Sequence, residues 1–141
     1  MLVEERHEND AIENNHASLW FRVMLIRHLA LNVRDPQASR DFYLQTIGLD
    51  GEAKDEPWGV RVKFADGFMF ALIQGDPPPA SAAGAVHFGC ALPSRDDARK
   101  LRDRLQHEGV TELEWEDEGE YTGVKVQDPD GYVVELAYDE A

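Results

Sequence analysis

A single cysteine, Cys90, is present in the 141 residues, so no internal disulfide can form and a reducing compartment fits. Basic residues are also scarce: 14 Lys and Arg stand against 28 Asp and Glu, a net charge of −14 at pH 7. Nucleic acid and anionic membrane surfaces attract clustered positive charge, so neither is expected as a partner. No apolar run approaches the ~20 residues needed to cross a bilayer. The acidic first residues lack the basic and apolar regions of a signal peptide, and a cytoplasmic protein is expected. What the sequence does have is the length of one domain, enough to bury roughly two-thirds of its unfolded surface, so neither a metal nor a disulfide is needed merely to fold.

Residues 1–23 mix acids, Asn and His ahead of the apolar cluster Leu19-Trp20-Phe21 and read as an N-terminal extension. A first unit spans 24–75. Its opening, Leu25 to Val33, has the β-branched and apolar content of a buried strand. Asp35-Pro36 then supplies a helix N-cap followed by proline at the first helical position. The helix carries Ala38, Phe42, Tyr43 and Ile47 at four- and five-residue steps, and Gly48 closes it. Strands follow at 58–65 and 68–74 around an Asp66-Gly67 turn.

Residues 76–84, DPPPASAAG, have linker composition. Residues 85–141 then repeat the order of the first unit. A strand covers 85–92, and Ser94 to Asp97 resembles a capping box. The helix after it places Ala98, Leu101 and Leu105 on one face before Gly109. Strands at 112–117, 121–127 and 132–138 complete the unit, the last two joined by the turn Asp128-Pro129-Asp130-Gly131. Each half is expected as strand, helix and three strands, and local matches such as Ile26-Arg27-His28 with Val86-His87 support a duplicated α+β domain.

Three potential metal ligands occupy related positions: His28 and His87 in the opening strands and Glu135 in the last strand. Strand side chains alternate, so His28 shares a face with Ala30 and Asn32, and His87 with Gly89 and Ala91. These neighbours are small and leave room for a cavity. Glu135 lies between Val133 and Ala137 on its face, where an unpaired carboxylate is costly. Two imidazoles and a carboxylate around one divalent ion would remove that cost. His7, His16 and His107 read as surface residues.

In this order and spacing, the segments RHLALNV, DPQASRDFYLQTIG, VHFGCAL and QDPDGYVVEL resemble the vicinal oxygen chelate superfamily, which includes glyoxalase I, extradiol dioxygenases, fosfomycin-modifying enzymes and bleomycin resistance proteins. The resemblance covers about Leu25 to Ala137 and implies two βαβββ modules forming an open, curved, barrel-like mixed sheet with the helices outside. It implies His28, His87 and Glu135 as ligands of a divalent metal (Fe(II), Mn, Ni or Zn), a small-molecule substrate chelating through vicinal oxygens, and a homodimer. A fourth ligand position falls on Ala71, which cannot ligate, so the glyoxalase I ligand set is incomplete. Lys125 stands where related enzymes often place a tyrosine, and the acidic run from Glu112 to Glu118 opposes a phosphonate.

Lys125 and Tyr121 are the acid-base candidates near the metal. Arg61 and Lys125 occupy similar places in their modules, and either anchor an anionic oxygen or belong to a solvated strand face. Trp58, Phe70, Trp115 and Tyr121 wall a substrate pocket or serve as core. Cys90, out of phase with His87, is expected on the helix side as a small hydrophobe. Two functions stay open: a metal-dependent lyase, isomerase or dioxygenase, and a non-catalytic protein that sequesters a cationic ligand, as bleomycin resistance proteins do.

Overall fold

A computed structural model describes residues 24–79 and 86–140; the N-terminal extension and most of the linker lie outside the described residues. The first module contains β1 (His28–Val33), α1 (Pro36–Asp41) with a π-helical continuation (Phe42–Ile47), β2 (Gly51–Glu56), β3 (Gly59–Phe64) and β4 (Met69–Gln74). The second contains β5 (His87–Ala91), α2 (Arg95–His107), β6 (Glu112–Glu118), β7 (Tyr121–Gln127) and β8 (Val133–Asp139). Each module forms a four-stranded mixed sheet, in the orders β1-β4-β3-β2 and β5-β8-β7-β6, with the first strand parallel to the last. Among the described residues the two sheets do not close into one barrel.

The helix signals act as expected. Asp35 accepts from the backbone amides of Gln37 and Ala38, and Ser94 accepts from that of Asp97, so both helices start on side-chain caps. Five-residue spacing in the first helix has a physical consequence. A π-helical turn is wider than an α-helical one, and it brings Phe42, Tyr43 and Ile47 together into the core, where they are 9%, 0% and 5% exposed. Gly48 ends this segment in the left-handed region at φ 91°.

The start of the first strand differs from the sequence expectation, and the third strand expected after the first helix is β2. The opening strand begins at His28 rather than Leu25: Leu25 and Ile26 precede it and are 57% and 87% exposed. β2 has almost no apolar residues of its own (GEAKDE) and forms because its backbone pairs with β3, with Ala53 opposite Val62.

One apolar cluster runs through both modules, from Leu31, Val33, Val60 and Leu72 to Leu101, Leu105, Val124 and Leu136. Polar contacts fix how the modules meet, and they converge on the first helix. The buried Tyr43 hydroxyl donates to Asp128 Oδ2 at 2.5 Å, while Asp128 Oδ1 accepts from the amides of Asp130 and Tyr132. Asp130 in turn accepts from the Arg34 amide and the Ser39 hydroxyl. At the other end, Arg104 of α2 donates to the carbonyls of Thr46 and Ile47 at 2.8 and 2.7 Å, capping the helix C-terminus. The Asp-Pro-Asp-Gly turn is therefore an inter-module clamp as well as a hairpin.

Candidate active site

Alternation sorts the strand residues as the sequence implies. On β1, Leu31 and Val33 are buried while His28, Ala30 and Asn32 are exposed on the face away from the helix. On β5, Phe88 and Cys90 pack against the core and His87, Gly89 and Ala91 occupy the other face. Burial pushes the Cys90 thiol up to about 11, as suits a small hydrophobe rather than a nucleophile.

β8 runs parallel to β5 with His87 beside Val133 and Glu135 beside Gly89, so the histidine and the carboxylate share one face, two residues apart in register. His87 Nε2 lies 3.7 Å from Glu135 Oε2, with side chains 37% and 26% exposed. A Cβ at Gly89 would stand 3.6 Å from that same carboxylate oxygen, an ordinary van der Waals contact.

β7 completes the floor of this face. Lys125 is the register partner of Glu135, Gly123 that of Ala137 and Tyr121 that of Asp139. The Lys125 ammonium turns away to Glu114, 3.2 Å from its carboxylate. Tyr121 instead lies back along its own strand, over Gly123, and its hydroxyl donates to Glu135 Oε1. A methyl group on Gly123 would come 2.6 Å from Tyr121 Cζ and 2.8 Å from Ala137 Cβ, so only glycine admits the ring there. Burial raises the Tyr121 pKa, and the hydrogen bond and negative charge of Glu135 raise it further, so the hydroxyl is a protonated donor at neutral pH.

His28 does not join this group. Among the described residues of one chain, no three His, Cys, Asp or Glu side chains are placed to hold a metal. The donor pair itself fits one. Two ligands about 2.1 Å from a shared ion at tetrahedral or octahedral angles lie roughly 3.0–3.4 Å apart, close to the 3.7 Å between His87 and Glu135. One chain therefore offers two members of an imidazole and carboxylate set, and His28 occupies the corresponding strand position of the other module.

The remaining candidates separate. Arg61 pairs in register with Ala71 on the His28 face of the first sheet, 3.6 Å from Glu56 and 5.9 Å from the centre of the Trp58 ring. Its Nε is buried without a hydrogen-bond partner among the described residues. Phe70 is 2% exposed on the opposite face and packs at a tilt on Tyr43 and edge-to-face on Phe88. Together with Leu29, Leu49, Phe64 and Phe68 it lines an apolar cavity of about 550 Å³, whose wall includes neither His87 nor Glu135. Trp115 faces the helix layer under the Arg102 guanidinium, 4.4 Å from its ring centre.

The acidic run is split by strand alternation together with a register shift between Glu112 and Glu114. Glu112 and Asp117 point to α2, paired with Arg102 and Arg99, and these arginines hold both carboxyls below the usual carboxylate range. By register, Glu114, Glu116 and Glu118 share the face of Lys125, Gly123 and Tyr121. Gly123 is the site residue sequence reasoning missed; a glycine inside a strand, two positions from a tyrosine on the same face, was the available signal.

A model of the Glyoxalase/Bleomycin resistance protein/Dioxygenase superfamily matches residues 25–136. The chain belongs to this superfamily. No curated protein matches it. Among solved structures, a possible glyoxalase from Bacillus cereus is 24% identical, with 81% of this chain and 98% of that one covered and a TM-score of 0.65. The fosfomycin resistance protein FosX from Listeria monocytogenes is 19% identical, with 82% and 93% covered and a TM-score of 0.68. TnmS3, an antibiotic binding protein from a Streptomyces species, is 22% identical, with 84% and 98% covered and a TM-score of 0.61. At these identities the likeness establishes the fold, and the superfamily member retains its two-module α+β architecture.

Proposed function

We propose that this superfamily member is a divalent-metal enzyme acting on a small molecule that chelates through two vicinal oxygens, with its site assembled between two copies of the chain. The observation that carries the reading is the His87–Glu135 pair, 3.7 Å apart on the face opposite the helix. His28 of the partner subunit supplies the third ligand. Charge gives this pairing modest support: the His28 face carries Lys54, Arg61 and Lys63 beside Glu52 and Glu56, while the strands of the second module carry Glu114, Glu116 and Glu118 beside Lys125, so the second face is the more acidic. When bound, an Fe(II), Mn, Ni or Zn ion supplies Lewis-acid polarisation of a substrate oxygen or, as iron(II), dioxygen chemistry. Arg61 serves as the anchor for an anionic substrate oxygen, with Lys125 and Tyr121 as the nearby proton-bearing groups. Lyase, isomerase and dioxygenase outcomes all share this arrangement.

Metal content of protein purified without chelator, compared with that of His87→Ala, tests the reading directly. Stoichiometric metal is expected in the first and not in the second. Mixing His28→Ala with His87→Ala tests the shared site: each variant alone lacks an intact ligand set, and statistical exchange in a two-fold dimer restores about a quarter of the sites. A second reading, sequestration of a cationic ligand without metal, draws on the exposed row Glu114, Glu116 and Glu118 and on the likeness to an antibiotic binding protein. Tight binding of a cationic glycopeptide by metal-free wild type would favour it.

A further inference from the structure

We infer that Tyr121 is a positioning residue for Glu135, seated by Gly123, and that it leaves the carboxylate a single oxygen to offer a metal. The inference rests on the metal reading above and adds how the ligand is prepared. A carboxylate at the end of a glutamate side chain turns almost freely about its last torsion, so an unheld Glu135 would exchange its two oxygens and swing between one-oxygen and two-oxygen ligation. Here the two oxygens have different surroundings. Oε1 accepts the Tyr121 hydroxyl, while Oε2 faces His87 Nε2 at 3.7 Å. Lys125, the register partner that would otherwise compete for the carboxylate, is engaged by Glu114.

The donor is held as firmly as its acceptor. Tyr121 reaches Glu135 only by lying across position 123, and the room comes from the missing side chain there: a Cβ would overlap the hydroxyl, stand 2.6 Å from Cζ and crowd Ala137 at 2.8 Å. Gly123 itself is buried, and its strand is hydrogen-bonded on both sides. The tyrosine thus acts through Glu135 and on its orientation. A tyrosine–carboxylate pair made only to neutralise a lone strand carboxylate would affect folding stability and leave metal affinity alone, which makes the two roles separable.

The test is a titration of the full-length protein with Mn²⁺, with thermal midpoints measured alongside, for wild type, Tyr121→Phe, Gly123→Ala, the double variant and His87→Ala. Loss of an outer hydrogen bond to a ligand weakens metal affinity by about 10–100-fold, and that loss is expected for Tyr121→Phe with stoichiometry retained. Gly123→Ala should show the same weakening although its tyrosine is intact, and the double variant should be no weaker than Tyr121→Phe. Loaded with Co²⁺, Tyr121→Phe should lose visible absorption intensity as the second carboxylate oxygen enters and coordination number rises. If Tyr121→Phe binds Mn²⁺ as tightly as wild type while His87→Ala does not bind, the positioning role is overturned and the metal site stands. If wild type binds no more Mn²⁺ than His87→Ala, the metal reading fails and this inference with it. Should Gly123→Ala fail to fold, Tyr121→Phe decides alone.

Discussion

Removing one oxygen atom from the inter-module clamp, by Tyr43→Phe, should weaken the protein more than its small change in volume suggests. Tyr43 is fully buried, and its hydroxyl is 2.5 Å from Asp128 Oδ2, in a side chain only 6% exposed. The other oxygen of Asp128 is already used by two backbone amides. Phenylalanine therefore leaves a buried carboxylate oxygen without its donor, a loss of about 1.5–3 kcal/mol for a hydrogen bond to a charged group. For a domain of this size that corresponds to roughly 5–10 °C in Tm.

The loss should also depend on pH. Burial raises the Asp128 pKa, and the Tyr43 hydrogen bond opposes that rise. A carboxyl whose folded pKa is raised favours folding below its unfolded value, and that contribution disappears as pH rises through the folded pKa. Tyr43→Phe lifts the folded pKa further, so its deficit should be small in acid and grow as Asp128 ionises. Urea unfolding across this range, followed by tryptophan fluorescence, measures both terms. A deficit under about 0.5 kcal/mol at neutral pH would refute the reasoning, since the oxygen would then have found another donor, and so would a deficit independent of pH, since the loss would then not run through the charge on Asp128.

Other outcomes follow from the same contacts. Arg104→Ala removes both donors to the Thr46 and Ile47 carbonyls and should cost about 1–2 kcal/mol by urea unfolding with an unchanged denaturant slope. Gly59→Ala should give little soluble protein, because φ is 151° and a Cβ would run into the Leu72 carbonyl. Gly109→Ala, at φ 77° with nothing among the described residues within 4 Å, should cost only about 1 kcal/mol. The Arg102 pair holds the Glu112 carboxyl low, which adds stability above the ordinary carboxylate pKa that is lost as pH falls through the lowered value. Arg102→Ala should flatten this part of the acid limb in pH-dependent melting.

Much of the fold was legible because the relevant signals are local. Asp35-Pro36, Ser94 to Asp97 and Gly48 state where helices start and stop through the hydrogen-bonding needs of their own backbones. The alternation in HLALNV and YTGVKVQ tells which side chains meet the helix. β2 was not legible, since GEAKDE becomes a strand by completing the backbone ladder of β3. Trp115 and Phe70 read as pocket wall or, more commonly for strand aromatics, as core or dimer contact, because strand position gives the face and not its neighbour. Asp128 read as a turn residue, and nothing near it in sequence identifies Tyr43, 85 positions away, as its partner.

The candidate site divides along the same line. Sequence alone determined the repeated unit, the faces of His28, His87 and Glu135, and the superfamily resemblance, all of which depend on strand period and on short segments in fixed order. Tertiary structure decided that Tyr121 rather than Lys125 holds Glu135, that Gly123 makes this possible, and that His28 stands apart from the pair within one chain. Those facts depend on register between strands and on clearance above one glycine. Both are set by how separate segments pack, so no single stretch of the chain contains them.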